Sequence, residues 1–422
     1  MSMKRLIGQM GIVAVIVIAV ALAAGAAFAQ PVPPGQTQVP GASAITSGPG
    51  DKEFPAISGD TVVWLDNTTG SVRVANASSG QTLTIPGDGT NATVAMREVD
   101  VSGNYVVWTG TRPMETSTDI YLYDTVAGSL TQVTNDSAFK MSPSVSGNVI
   151  CWNAVNVTTG RGENHWYGID TRDSGLLPGN TTSNRTSPAI GGDTVAWLDD
   201  SRVGGHFDVL WSSFPGGDPV RVSLTGNISS PPAVSSDGRR VVWLAEEGGL
   251  VSLYMAETGT REVRRIGGEG AMPFAPDVDV DYVVWTDYRN GNGDIYLYDI
   301  QTGRERQVTS DSAEQVYPAV SGSRIVWMGN DDGAWNIYLA EIGAGQQPTM
   351  TGTPAPTMAP GGQPPSYPIW RPPYPPAVQP TSIPTGQPTP SPTGQPTYTP
   401  TSTPTAQPTY TPTAQPTYYP TT

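Results

Sequence analysis

Two histidines, His165 and His206, and one cysteine, Cys151, are the whole supply of imidazole and thiol in 422 residues. A three-histidine metal centre is excluded. A Ser/His/Asp triad would have to recruit one of these two imidazoles, and no Gly-x-Ser-x-Gly turn presents a nucleophile. Cys151 stands in the apolar run Val149-Ile150-Cys151-Trp152. It reads as a buried small hydrophobe and, being alone, forms no intramolecular disulfide. The densest set of oxygen ligands is Asp287-Tyr288-Arg289-Asn290-Gly291-Asn292-Gly293-Asp294. Asp287, Asn290, Asn292 and Asp294 are the candidate metal ligands there, for a structural calcium ion. The acidic third position and the distal glutamate of an EF-hand are missing. A hairpin whose Asn and Gly accept positive φ, with Asp287 bonding backbone amides, accounts for the same residues. Carboxylates are plentiful, yet nothing in the sequence pairs two of them for glycoside hydrolysis. The expectation is no catalytic residue, no cofactor and no enzyme.

Eight Asn-x-Ser/Thr sites offer a different chemistry, N-glycosylation: Asn67, Asn76, Asn91, Asn135, Asn156, Asn180, Asn184 and Asn227. Glycans require exposed loops, so these residues are expected at the surface of an exported protein. If they share one side, the opposite bare side, nearer the C-terminal repeats, is the expected binding face.

Export has its own signature. Lys4 and Arg5 precede an apolar run from Leu6 to Ala27, and Ala27-Phe28-Ala29 precedes Gln30. That is a basic region, an apolar region and a small-residue cleavage site. The run, about 20 residues long, also suffices to span a bilayer uncut, so a cleaved signal peptide and a retained anchor both fit residues 1–29. Residues 30–43 read as a linker and 44–343 as the folded part. Residues 344–422 are rich in Pro, Thr, Gln and Tyr, in near-copies such as Pro404-Thr405-Ala406-Gln407-Pro408. Poor in aliphatic residues, they are expected to form a disordered, polyproline-rich stalk reaching on the order of 200 Å at about 3.1 Å per residue. Its aromatic island, Tyr367 to Tyr374, fits either a groove ligand or a stiff spacer. The net charge of −15 argues against nucleic acid as a partner. Membrane contact is expected only through an uncleaved leader.

What must position these residues is a repeat. Trp64, Trp108, Trp152, Trp197, Trp243, Trp285 and Trp327 each stand in a short apolar run, at spacings of 44, 44, 45, 46, 42 and 42 residues. That period fits one four-stranded propeller blade. The runs are apolar at consecutive positions, as Val283, Val284 and Trp285 show, so both faces of each sheet are buried against neighbours. Proline recurs at Pro55, Pro143, Pro188, Pro232, Pro276 and Pro318, with Val99 in the second copy. Unable to donate to a ladder, proline belongs on an edge, here the innermost strand of each blade. The seventh copy lacks a fourth strand before Gly343, whereas Ala44-Ile45-Thr46-Ser47 keeps the offset to Pro55 that Val308 keeps to Pro318. The predicted fold is all-β: a seven-bladed β-propeller of four-stranded antiparallel blades, closed by an N-terminal strand and followed by the stalk.

Two segments, Tyr317-Pro318-Ala319-Val320-Ser321-Gly322 and Asp294-Ile295-Tyr296-Leu297-Tyr298-Asp299, resemble the WD-like repeat of TolB-type propellers. Val234-Ser235-Ser236-Asp237-Gly238 is similar to the Ser-Pro-Asp-Gly turn of that family. Trp285-Thr286-Asp287-Tyr288-Arg289-Asn290-Gly291-Asn292 is similar to repeats in cell-surface proteins of methanogenic archaea. The resemblance implies a binding or scaffold module outside the cell, with a protein or glycan of the envelope as partner. An extracellular carbohydrate-active enzyme using channel carboxylates, or a self-assembling envelope component, are the alternatives.

Overall fold

Stretches that are apolar on both sides can only be buried between two layers, and seven sheets arranged as a ring give each that environment. The computed structural model describes residues 42–85, 93–111, 117–156, 160–179, 182–201, 206–223, 227–331 and 333–343. All belong to the first of two compact units, Met1–Ala377 and Val378–Thr422. The leader, most of the linker, the stalk with its aromatic island, Asn91 and Asn180 lie outside the described residues. The blades span 52–84, 93–132, 139–176, 185–221, 227–266, 273–307 and 315–341, each an antiparallel meander from an inner to an outer strand. Blade 6 is representative: Pro273–Val278, Tyr282–Asp287, Asp294–Asp299 and Arg304–Gln307. In blade 5 the inner strand is broken into Asn227–Ile228 and Ala233–Val234.

Seven apolar clusters occupy the seven joints between blades. The second strand of blade 1 feeds two of them, Val63 and Leu65 on one side, Val62 and Trp64 on the other. All seven repeat tryptophans are buried. Five stack on the cross-strand residue of the third strand: Trp108 on Tyr121, Trp152 on His165, Trp243 on Tyr254, Trp285 on Tyr296 and Trp327 on Tyr338, at 5.7–6.0 Å between centroids. Such offset pairs contribute roughly 0.5–1.5 kcal/mol beyond area burial.

The recurrent proline does more than mark an edge. In blades 1, 3, 4, 6 and 7 the inner strand bulges at the proline and the residue before it. That preceding residue (Phe54, Ser142, Ser187, Ala275 or Tyr317) takes a φ of +46° to +54°. Left-handed backbone at a non-glycine residue costs about 1–3 kcal/mol, and the repetition makes it a built feature. The bulge turns amides away from their own sheet toward the preceding blade. Phe54 N donates to Met328 Sδ (3.2 Å), Tyr317 N to Thr286 Oγ1 (3.1 Å), and Ser142 N to the Glu98 carboxylate.

Closure is made by Ser43–Ala44, paired antiparallel with the third strand of blade 7, Asn336–Glu341. The regular strand is shorter than expected, but its bonding continues through Ile45 N to Ile337 O at 2.8 Å. Thr46 Oγ1 then donates to Asn336 Oδ1 (3.1 Å) and accepts Ile337 N (2.9 Å). Within single blades the same knot is tied by Thr134 on Asp119 and Ile120, Ser223 on Asp208 and Val209, and Thr309 on Asp294 and Ile295. Thr46 therefore does for blade 7 what a residue just after the outer strand does for blades 2, 4 and 6. Thr46→Val removes both bonds and orphans a buried amide, which costs about 1–3 kcal/mol. Its urea midpoint is expected to fall with one cooperative transition, and Thr46→Ser to stay close to wild type. A Thr46→Val midpoint equal to wild type contradicts this account of the seal.

Candidate functional site: the central channel

Seven inner strands converge on an axial cavity of about 330 Å3 lined by residues such as Ser58, Asp100, Ser102, Ser146, Asp277 and Asp279. The repeat explains this chemistry. After each proline, or Val99 in blade 2, comes a small or acidic residue: Ala56, Asp100, Ser144, Ala189, Ala233, Asp277 and Ala319. Next comes an aliphatic residue for the joint, from Ile57 in blade 1 to Val320 in blade 7. Two residues beyond the small position stand Ser58, Ser102, Ser146, Gly191, Ser235, Asp279 and Ser321.

Those side chains tie each blade to the next. Gly103 N donates to Ser58 Oγ (2.9 Å), and Gly147 N to Ser102, Gly192 N to Ser146 and Gly59 N to Ser321, each at 3.0 Å. Asp279 Oδ2 accepts Gly322 N at 2.7 Å, while its Oδ1 receives the amide and hydroxyl of Ser236. Between blades 4 and 5 the repeat breaks. A Cβ on Gly191 would lie 2.1 Å from the carbonyl oxygen of Ser235, so backbone meets backbone directly. Gly191→Ser, which restores the hydroxyl of other blades, is expected to lower stability by more than about 2 kcal/mol through overpacking. Thermal unfolding of that variant at or above wild type would remove this explanation.

A second tier of bonds brings the acids into play. Asp100 Oδ2 accepts Val145 N (2.8 Å), Ser144 Oγ accepts Ile190 N (3.3 Å) and Asp277 Oδ2 accepts Val320 N (2.9 Å). Burial raises both carboxyls, Asp277 to about 7, with the negative charges of Asp100 and Asp279 adding to the shift. At neutral pH Asp277 is divided between its acid and its carboxylate. The channel thus offers hydroxyls, a proton-donating or proton-accepting carboxyl and a second carboxyl of raised affinity for a proton. Toward the other end of the inner strands, Phe54 and Phe274 both meet the Tyr317 ring edge-on, at 4.9 and 5.2 Å. These rings link blades 1, 7 and 6.

The sequence-predicted positions lie elsewhere. Asp287 is fully buried, and its Oδ2 accepts Trp285 Nε1 (2.8 Å) and Arg289 Nη2 (2.6 Å). Its Oδ1 accepts the amides of Met272 (3.1 Å) and Arg289 (3.0 Å). Asn290 Nδ2 donates to Tyr296 OH (2.9 Å), and Asn292 Nδ2 to the carbonyls of Asp311 and Ala313 at 3.1 Å. Asp294 accepts Gln307 Nε2 (2.9 Å) as well as Thr309, and burial raises its carboxyl to about 7. Asn290 Nδ2 also reaches Asp294 Oδ2 (3.4 Å), while Asp287 and Asn292 are held by other partners, so the structure brings together two of the four. His165 lies under Trp152, burial lowering its basicity, and His206 is exposed. Cys151 is buried, which pushes its thiol up. Asp100, Asp277 and Asp279 were not singled out from sequence. The available signal was a carboxylate in the small-residue slot after the proline, or in the serine slot.

No family model and no curated protein matches the chain. Solved structures do. The β-propeller domain of the Trilobed protease from Pyrococcus furiosus is 12% identical, with a TM-score of 0.56 over 71% of this chain and 99% of that one. The oligogalacturonate lyase from Vibrio parahaemolyticus is 9% identical, with a TM-score of 0.52 over 72% and 94%. TolB from Acinetobacter baumannii is 14% identical at a TM-score of 0.41 over 69% and 79%. Identities this low speak to fold: the chain is a β-propeller. The Pyrococcus domain is described as having an open velcro topology, whereas here the N-terminal strand closes the last blade.

The raised carboxyl has a thermodynamic signature. Asp277 binds its proton more tightly folded than unfolded, so its contribution is greatest below about pH 4 and is lost as pH rises through about 7. Asp277→Asn keeps an acceptor for Val320 N and removes the charge. Its melting temperature is expected to match wild type near pH 4 and to exceed it by a few degrees at pH 8. A lower melting temperature at pH 8 would show that the carboxylate stabilises the ring.

Proposed function

We propose that this chain is an exported, non-catalytic binding module of the cell envelope, taking a protein or glycan at the channel mouth, with the C-terminal segment acting as a spacer. The observation that carries this reading is the cavity ringed by Ser58, Ser102, Ser146, Asp100 and Asp277 on seven interlocked inner strands. Rigid strands holding alternating donors and acceptors in fixed relation suit recognition of a polar group. The carboxylates hold the amides of Val145 and Val320, an assignment to architecture that favours binding over turnover. The basic and apolar leader supports export, and the extracellular side of the envelope is the proposed location.

One observation favours the second reading. Asp100 and Asp277 share the cavity, and a carboxyl raised to about 7 matches a general acid working near neutral pH. The runner-up is accordingly a carbohydrate-active enzyme using these two acids.

The full-length protein, immobilised and exposed to a panel of envelope polysaccharides and solubilised envelope proteins, separates the readings. Binding predicts retention without new reducing ends. The double variant Asp100→Asn, Asp277→Asn is expected to lose about tenfold in affinity, ~1.4 kcal/mol. Turnover abolished by that double variant would establish the enzyme, and retention of only the protein itself a self-assembling component.

A further inference from the structure

In an antiparallel meander the inner-to-second and third-to-outer turns lie at one end, and the second-to-third hairpins and blade-to-blade loops at the other. The bonds from Ser58, Ser102 and Ser146 to the turn of the following blade set these ends in common around the ring. One face of the wheel therefore holds the channel mouth, and the opposite face all the hairpins. Asn67 and Asn156 stand in the hairpins of blades 1 and 3, directly after second strands ending at Asp66 and Val155. Asn135 lies in the loop between Gln132 of blade 2 and Phe139 of blade 3. Asn227 opens the inner strand of blade 5 opposite Glu246. All four are on the hairpin face and all four asparagines are exposed, but the hydroxyl of the Asn227 tripeptide, Ser229 Oγ, is buried.

Two further sites differ. Asn184 is on the hairpin face too, but its Oδ1 accepts Gly162 N (2.7 Å), and Arg185 and Thr186 of its tripeptide are buried. No glycosylating enzyme reaches that tripeptide in the folded chain. Asn76 ends the third strand of blade 1, on the mouth face. Its carbonyl accepts the amides of Ser78 (3.1 Å) and Ser79 (2.8 Å). The tripeptide's hydroxyl, Ser78 Oγ, donates to Asp60 (2.7 Å), which in turn pairs with Arg324 across the joint to blade 7.

We infer that, among the described sites, the wheel is glycosylated on one face only: N-linked glycans on Asn67, Asn135 and Asn156, none on Asn76, Asn184 or Asn227, and a bare face around the channel mouth. In the reaction Nδ2 loses one hydrogen as its bond to the sugar's anomeric carbon forms, and the carbon–oxygen bond to the phosphate of an activated glycosyl donor breaks. The proton passes to a base and the phosphate leaves with the electron pair. At Asn67 the hydrogen that remains on Nδ2 still serves the bond to Glu53. The chain ends sharpen the orientation. Ser43 pairs with Leu339 and Ile45 with Ile337, so the chain enters from the mouth face. The third strand of blade 7 runs back toward it, and Gly343 leaves there. Both connections to the rest of the chain depart from the bare face, and the glycans point away from them.

This inference rests on the export reading, and the experiment keeps the two apart. Full-length protein from its native host or a glycosylation-competent secretory host is fractionated, and each site's occupancy is mapped by mass spectrometry with and without enzymatic deglycosylation. The expected map is sugar at Asn67, Asn135 and Asn156 and unmodified peptide at Asn76, Asn184 and Asn227. Thr69→Ala and Ser137→Ala should each remove one glycan while leaving the melting temperature unchanged. Sugar on Asn76, or an exported chain with Asn67 and Asn135 bare, overturns the one-face inference alone. A chain held in the cytoplasm with its leader intact overturns the export reading and this inference together.

Discussion

The hydroxyl knot between an outer strand and the first residue of the third strand is the interaction on which the ring depends. In blades 2, 4 and 6 it is local, formed by Thr134, Ser223 and Thr309 with Asp119, Asp208 and Asp294. In blade 7 it joins the two ends of the fold, through Thr46 and Asn336. A ring of sheets has no edge only when its last seam is sealed. Here the seal combines a short ladder with a side-chain bond that fixes its register, because Thr46 Oγ1 bonds both Asn336 and Ile337. An acceptor of the same geometry, Asn in place of Asp, keeps the knot without placing another charge in an already acidic chain.

Closure matters for the channel because the channel has no walls of its own. Its lining is the innermost strand of every blade, and its polar groups are the same ones that fasten blade to blade. Ser58, Ser102, Ser146 and Ser321 accept one amide each from the next blade, and Asp100 and Asp277 do likewise a tier away. The proline bulge belongs to the same device. It costs left-handed backbone at five residues and frees amides to bond across the joints that the bulky aromatic pairs fill farther out. Strain at the hub is offset by packing at the rim.

Most of this architecture was legible in the sequence, and the reason is periodicity. Tryptophan spacing counts blades because each sheet needs one large ring between its neighbours. Ile45 keeps the offset of Val133 and Val308 to the following proline, which exposed the shared strand before any coordinates. Proline at an edge was legible, but the bulge was not, since an edge position alone permits an ordinary φ. The Asp287 hairpin also read correctly as an acceptor of backbone amides, while the further bonds to Trp285 and Arg289 depend on three-dimensional proximity. The channel acids were hidden for a different reason. Asp100 and Asp277 come from blades far apart in the chain, and only closure places their charges within mutual influence. Asp277-Val278-Asp279-Val280-Asp281 looks like an ordinary solvated acidic strand until its first two carboxylates are seen to face the axis. The side of the wheel on which an asparagine stands is likewise a property of strand order, invisible until the meander is fixed.

Using one set of groups both as fasteners and as channel lining has a physical consequence. A carboxylate that holds Val320 N while facing the charges of Asp100 and Asp279 is under electrostatic load, and protonation relieves it. Any ligand that places a positive or proton-donating group among these acids relieves it too. By linkage, such a ligand must tighten the ring by the same free energy with which the ring favours the ligand. The neutral hydroxyls of Ser58, Ser102 and Ser146 carry no such load and set shape without setting charge. For such a ligand, occupancy of the mouth and cohesion of the seven blades would be one equilibrium viewed from two ends, coupled through Asp100 and Asp277 and leaving the serine joints largely indifferent.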